Sequence, residues 1–407
     1  MTLLAEAPFP IEKSLLRKDA WQRVKFGDMA ECITDRVDNP AEAGVDRYVG
    51  LDHLDPDTLS IRRWGLPTEV ESTKLRFQPG DIIFGKRRAY QRKLAVADFE
   101  GICSAHAMVL RAREETVIKD FLPVFMQSNV FFERALAISV GSLSPTINWK
   151  TLAVQEFDLP PLHEQRRIAE VLWAVEEISE SYDLCQQEAI RLLDTLLRVS
   201  VERFWSEVEQ RAIRMMHLGD ALGETITNGI FKRRHEFGSG TLLINVKDLY
   251  TGISVDTSAL DRVTTTLREQ ERFSALSGDV IFNRSSIVLS GIGKASLVPE
   301  NDEPMVFECH LMRVRPNPEL LLPAYLTWYA SSRPARDYIT SAAKTTTMTT
   351  INQGDIESFP IPVPGLATQA ALVEKLNAVD GTISEIRKHI KLVKTIKCSL
   401  LARLFQT

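Results

Sequence analysis

The chain has 407 residues, 44% apolar and 25% charged, the make-up of an ordinary globular protein with two or three cored domains. A formal net charge of −5 excludes a globally basic nucleic-acid coat, so any phosphate-binding surface has to be local. Five scattered cysteines without a C-x-x-C pair argue against a disulfide framework or zinc site, and no apolar run reaches the ~18 residues of a membrane span. In chain order, residues 1–20 form an N-terminal segment without the basic and apolar regions of a secretory leader, and a reducing cytoplasm is expected.

Residues 21–162 read as a mixed α/β domain. Strand-like runs at Asp81-Ile82-Ile83-Phe84 and Ala107-Met108-Val109-Leu110 are bounded by turn residues, and a helix is expected around Leu122–Leu136. Asp158-Leu159-Pro160-Pro161 closes the domain, because successive prolines cannot continue a helix interior. A central helical region, 163–213, follows. Its apolar seam runs Ile168, Leu172, Val175, Ile178, Tyr182, Cys185, Ala189, Leu192, Leu196, Val199 in alternating steps of three and four. Residues 214–366 read as a second α/β domain, with a strand at Asp279-Val280-Ile281-Phe282, a helix around Pro323–Ile339 and a terminal Pro360-Ile361-Pro362-Val363-Pro364 stretch. The C-terminal helical region, 367–407, has the seam Leu372, Leu376, Val379, Ile383, Ile386, Ile390, Val393, Ile396, Leu400.

The chain is written twice. Gly27-Asp28 returns as Gly219-Asp220, Gly80-Asp81-Ile82-Ile83-Phe84 as Gly278-Asp279-Val280-Ile281-Phe282, and Thr146-Ile147-Asn148 as Thr350-Ile351-Asn352. So long an offset marks a duplicated domain, since solenoid repeats recur at roughly 20–50 residues. A helix of ~40 residues spans roughly 60 Å, too long to bury its seam on its own module. The expected fold class is α+β: two similar mixed α/β domains separated by two long antiparallel coiled-coil helices, with pseudo-twofold internal symmetry.

These motifs resemble those of the specificity subunits of type I restriction–modification systems. The Gly-Asp-(Ile/Val)-Ile-Phe strands and the Thr-Ile-Asn turns carry the likeness from about Trp21 onward. Its most specific part is Leu159-Pro160-Pro161-Leu162-His163-Glu164-Gln165-Arg166-Arg167-Ile168-Ala169, whose second copy keeps only Leu366 and Gln369 of the helix approach. The resemblance implies two target-recognition domains that read the halves of a split double-stranded DNA sequence. It implies two methyltransferase subunits docked on the helical spacer, with Glu164, Gln165, Arg166, Arg167 and Gln369 as candidate partner contacts. S-adenosylmethionine, ATP and magnesium then belong to the partners, which can include a restriction subunit. This chain is expected to hold no cofactor or metal, to perform no catalysis, and to work in a prokaryotic cytoplasm away from membranes.

The densest cationic stretch is Lys86, Arg87, Arg88, Tyr90, Gln91, Arg92 and Lys93. Composition alone favours a solvated hairpin loop, but the likeness to the family's loop after Gly-Asp-Ile reverses that in favour of DNA contact. Arginine can bond guanine bidentately and glutamine can read adenine. Arg62 and Arg63 form a second cluster. In the second domain the candidates are Lys232, Arg233 and Arg234; Arg284, Ser285 and Ser286; Lys294; and the hydroxyl-rich Lys344, Thr345 and Thr346. His106 and His310 occupy equivalent positions and are expected to be structural, with bonded imidazoles just inside apolar strands. Gly291-Ile292-Gly293-Lys294 lacks the upstream glycine and the following hydroxyl of a phosphate loop. The rival readings are a single-chain methyltransferase or nuclease with degenerate motifs, and a scaffold that binds no DNA.

Overall fold

A computed structural model describes residues 18–345 and 347–405. Most of the expected segment 1–20, and Thr346, lie outside the described residues. The chain divides into two units: residues up to Leu184 together with those from Arg387 onward, and Cys185–Ile386. Both cuts fall inside long helices, the central Leu162–Glu209 and the terminal Leu366–Phe405. Each unit therefore owns one α/β module and a portion of each helix, whereas the sequence reading set the helical regions apart.

In the first unit an antiparallel sheet runs in the order Ala30–Ile33, Met108–Ala112, Ile82–Phe84, Leu94–Val96. A second sheet runs Arg36–Val37, Lys74–Phe77, Gly101–Ser104, Tyr48–Val49, its last pair parallel. Ile82 and Phe84 point into the core that holds Phe26, Phe121 and Phe131, while Ile83 points into a second core with Val109 and Cys103. A strand covered on both faces reads as an unbroken apolar run.

The second unit repeats this plan. Its antiparallel sheet is Thr227–Asn228, Leu311–Val314, Val280–Asn283, Ala295–Leu297. The companion sheet is Asp261–Val263, Phe237–Ile244, Met305–Phe307, again with its last pair parallel. Val280 and Phe282 enter one core and Ile281 the other, the same alternation as before.

The duplicated motifs have matching structural duties. Asp81 accepts from Gln78 N at 2.9 Å and is gripped by Arg111 Nε and Nη2 at 2.8 and 3.0 Å. Asp279 accepts from Leu276 N at 2.7 Å and from Arg315 Nε and Nη2 at 2.6 and 2.8 Å. The asparagines of Thr-Ile-Asn are helix caps: Asn148 Oδ1 accepts from Lys150 N, and Asn352 Oδ1 from Asp355 N, both at 3.0 Å. The helices they cap press on the repeated glycines. A Cβ on Gly27 would sit 3.1 Å from Ala153 O, and one on Gly219 3.3 Å from Glu357 O. Gly27→Val is accordingly expected to cost about 1–3 kcal/mol by overpacking. An unchanged thermal midpoint would show that this contact can relax.

The single helices expected around Leu122–Leu136 and Pro323–Ile339 are each two. Phe121–Met126 stops before Asn129–Ala137, and Pro323–Ala330 before Arg333–Ala342. Ser128 restarts the chain in the first unit, its hydroxyl accepting from Phe131 N at 3.3 Å. Within the first unit the long helices run antiparallel. Ile168 and Leu172 share a core with Leu401, Leu404 and Phe405; Glu176 pairs with Lys397; and Tyr182 stacks on His389 at 5.2 Å. In the second unit Leu197, Val201 and Phe204 share a core with Leu372 and Leu376.

The expected seam holds on the terminal helix, where Leu372, Leu376, Ile383 and Ile390 are buried. The central helix departs from it: Ile178, Cys185, Leu192 and Val199 are exposed, whereas Glu176, Leu197, Val201 and Phe204 are buried. The expected seam advanced by heptads. A straight helix with about 3.6 residues per turn drifts ~20° per heptad from such a seam, and the buried face follows the helix.

Candidate nucleic-acid interface

Three segments meet at the end of strand Ile82–Phe84. Arg87 N donates to His106 O at 3.3 Å, Arg88 N to Pro145 O at 2.8 Å, and Ile147 N to Lys86 O at 3.0 Å. These bonds join the basic loop to the turn before Met108–Ala112 and to the polar loop before Asn148. Side chains reinforce them: Arg87 Nη1 lies 3.1 Å from His106 Nε2, and Arg88 Nε donates to Ser144 Oγ at 3.3 Å. Arg88 has φ +58, a left-handed conformation that a non-glycine residue adopts at a cost of about 1 kcal/mol. Arg88 and Tyr90 are exposed, while Lys86, Arg87 and Gln91 are half-buried. The result is a cationic face with an aromatic edge, held by backbone bonds and free to present guanidinium donors outward.

The same three segments meet in the second unit. Arg284 N donates to His310 O at 2.8 Å, and Ile351 N to Arg284 O at 3.1 Å. Ser285–Ser286 pairs with Thr349–Thr350, which pairs in turn with Lys344–Thr345. Arg284 is half-buried and its Nε has no hydrogen-bond partner among the described residues, while Lys344 and Thr345 are exposed. This face has fewer cations and more hydroxyls than its counterpart.

Several expected contacts are spent inside the chain. Arg92 donates to Asp57 Oδ1, Asn129 Oδ1 and Gln127 O at 2.7, 3.1 and 2.6 Å and stacks over Phe132, so it braces the loop rather than reaching outward. Lys93 Nζ donates to Leu51 O at 2.6 Å. Arg62 pairs with Asp183 on the central helix at 2.8 Å, and Arg63 with Asp55. The Lys232 ammonium, with 6% of its side chain exposed, is clamped between Glu236 and Glu269 at 3.1 and 3.0 Å. Lys294 is half-buried, and burial together with nearby Arg336 lowers its pKa. Ser286 is buried and its hydroxyl donates to Val288 O at 2.7 Å. Arg233 and Arg234 remain exposed.

The glutamines at the helix starts are likewise internal. Gln165 Oε1 accepts from Ile118 N at 2.9 Å while Nε2 donates to Pro160 O at 2.9 Å and Thr116 O at 3.3 Å. Gln369 repeats the pattern with Leu322 N, Pro364 O and Leu320 O at 2.9, 2.8 and 2.9 Å. Both are buried, at 2% and 0% exposure, which withdraws them from any partner surface. Glu164 and Arg167 are half-buried and Arg166 is exposed.

His106 and His310 are the residues that sequence reasoning misplaced. Both imidazoles are bonded, as expected, to Arg87 and Glu308, but both residues sit in turns ahead of their strands and are exposed. Arg87 can only donate, so Nε2 of His106 accepts and its proton resides on Nδ1. Burial, then the Arg87, Lys86 and Lys74 charges, lower the His106 pKa and favour that neutral form. The signal available was their equivalence in the repeat, one at the basic loop of each module.

Among the described residues no helix is long and apolar enough to cross a membrane. The profile of the type I restriction modification DNA specificity domain matches residues 18–183 and again 246–394. The EcoKI type I restriction enzyme specificity subunit of Escherichia coli K12 is 24% identical over 366 residues, which cover 84% of this chain and 77% of that protein. The StySPI specificity subunit of Salmonella potsdam is 21% identical over 363 residues, with the same coverage of 84% and 77%. Among solved structures, the type I restriction–modification S subunit of M. genitalium superposes with a TM-score of 0.61 at 13% identity, covering 95% of this chain and 96% of that one.

Proposed function

Because the chain belongs to the type I restriction modification DNA specificity family, we propose that its two units read the two halves of a split double-stranded DNA sequence. The chain is a specificity subunit with two DNA recognition domains. One observation supports a reading surface at a particular place. In both units the segment after the buried Phe84 or Phe282 is bonded to the His106 or His310 turn and to the loop before the capping asparagine. The frame is the same and the side chains on it differ, as two readers of different sequences require. Lys86, Arg87, Arg88, Tyr90 and His106 form the first face; Arg284, Ser285, His310, Lys344 and Thr345 form the second.

Methylation, in this reading, belongs to two methyltransferase subunits that bind S-adenosylmethionine. A restriction subunit using ATP and magnesium can join them, and this chain contributes no catalytic group. Exposed Arg166, with Glu164 and Arg167 beside it, marks the partner side of the central helix start. A net charge of −5 is consistent with partners supplying part of the phosphate contact.

Arg87→Ala combined with Arg88→Ala, tested in the assembled complex, is expected to weaken binding to the first half-site about 10–100-fold. One bidentate base contact between the two arginines, worth about 1–3 kcal/mol, sets that range. Discrimination at the second half-site should stay intact. Uniform loss across all sequences would make the pair phosphate contacts instead. Transfer of labelled methyl groups to DNA by this chain alone would overturn the non-catalytic reading.

A further inference from the structure

The turn before strand Leu311–Val314 gathers a carboxylate, a thiol and an imidazole. Cys309 Sγ lies 3.7 Å from Glu308 Oε2 and 3.7 Å from His310 Nδ1, and Nδ1 lies 2.9 Å from Oε2. We propose that Glu308, Cys309 and His310 form a three-ligand site for a borderline-soft divalent d-block cation of the zinc class.

The donor set selects the metal class. Thiolate and imidazole favour zinc, cobalt or nickel, whereas magnesium and calcium require oxygen ligands. The spacing fits one face of a tetrahedron. Bonds of about 2.3 Å to sulfur and 2.0–2.2 Å to nitrogen and oxygen place such ligands about 3.3–3.6 Å apart. The two sulfur distances, 3.7 Å each, lie about 0.1 Å beyond this, and the nitrogen–oxygen pair, at 2.9 Å, opens by about half an ångström. In the free chain that pair is a hydrogen bond. The cation takes the place of the proton between Nδ1 and Oε2, and the imidazole proton moves to Nε2. The Cys309 thiol releases its proton to solvent as the sulfur–metal bond forms.

The turn is fixed for this task. Leu311 N donates to Glu308 O at 3.0 Å, Arg284 N to His310 O at 2.8 Å, and Gly229 N to Leu311 O at 3.0 Å. His310 has 51% of its side chain exposed, leaving an approach for the ion and a fourth, exchangeable position. The corresponding turn of the first unit is Ser104-Ala105-His106, with neither carboxylate nor thiol, so the site is particular to the second unit. Adjoining Arg284, a bound cation adds positive charge and stiffness to one reading face only.

The test uses the full-length chain with a non-thiol reductant and Co2+ as the probe. One ion per chain is expected, with the near-ultraviolet thiolate-to-cobalt charge-transfer absorption, displaced by Zn2+. Cys309→Ser should abolish that absorption. His310→Ala should weaken binding at least tenfold while sparing the circular-dichroism spectrum. Cys185→Ser and Cys398→Ser should change nothing. Absence of the charge-transfer band, or its survival in a folded Cys309→Ser variant, overturns the proposal. Neither outcome depends on DNA binding, so the reading of the two units as DNA recognition domains stands or falls separately.

Discussion

Alanine at Glu176 is expected to cost the first unit about 3–5 kcal/mol, the penalty for leaving a buried charge without its partner. Glu176 is 3% exposed and Lys397 7%, one on each long helix. Glu176 Oε2 accepts from Lys397 Nζ at 2.6 Å, while Oε1 accepts from Leu59 N at 2.6 Å. The ammonium donates in addition to Asp57 O at 2.7 Å. Removing the carboxylate orphans an ammonium and a backbone N–H together. Glu176→Leu with Lys397→Met should recover most of the loss, because an apolar pair of similar volume can replace a buried ion pair. Chemical unfolding of the two variants decides between this account and a merely tolerated surface pair, which would cost under about 1 kcal/mol. The effect should reach DNA. Asp57 Oδ1 holds Arg92 Nε at 2.7 Å, and Arg92 closes the loop that begins at Lys86. Loosening Asp57 should therefore blunt discrimination at the first half-site before the unit unfolds.

That network also shows where the sequence stops being legible. The duplication, the strands after each Gly-Asp and both long helices follow from periodicity and turn residues, which are local signals. The central seam does not, because Glu176 is polar and its place in the core depends on Lys397, 221 positions away. Gln165, in a charged run, and Gln369, among small residues, both look like surface residues, yet each answers an N–H and two carbonyls of the chain around it. Arg92 and Lys232 count as cations in a basic stretch, but carboxylates supplied by distant segments, Asp57 and Glu269, turn them inward. The Glu308–Cys309–His310 cluster escapes any search for spaced ligands because its three residues are adjacent. What spacing cannot show is which side chains a tight turn gathers, and which cations the fold has already neutralised.

Asp81→Ala and Asp279→Ala test the twice-written aspartate directly, and their expected costs differ. Each carboxylate is 1% exposed, accepts a backbone N–H three residues back and binds an arginine through both oxygens. Deleting Asp81 should cost about 3 kcal/mol, the lower end for a broken buried pair, since Arg111 keeps some contact with water; deleting Asp279 should cost less. The second unit has a reserve. Glu224 holds Arg315 Nη1 at 2.6 Å and also reaches Arg313 Nη2 at 3.2 Å. Arg315 without Asp279 would still face a bonded carboxylate, whereas Arg111 without Asp81 keeps, among the described residues, the Glu31 charge nearby. Asp81→Ala should thus be the more damaging of the two, measured as the shift of each unit's urea midpoint. Adding Glu224→Ala to Asp279→Ala should cost more than the sum of the separate changes, by about 0.5–3 kcal/mol, because the two carboxylates share one guanidinium. Strict additivity would mean that Glu224 does not compensate. Asparagine at either aspartate keeps the backbone acceptor and removes the charge, so it should fall between wild type and alanine. If asparagine proved as costly as alanine, the ion pair rather than the turn would be what these aspartates secure.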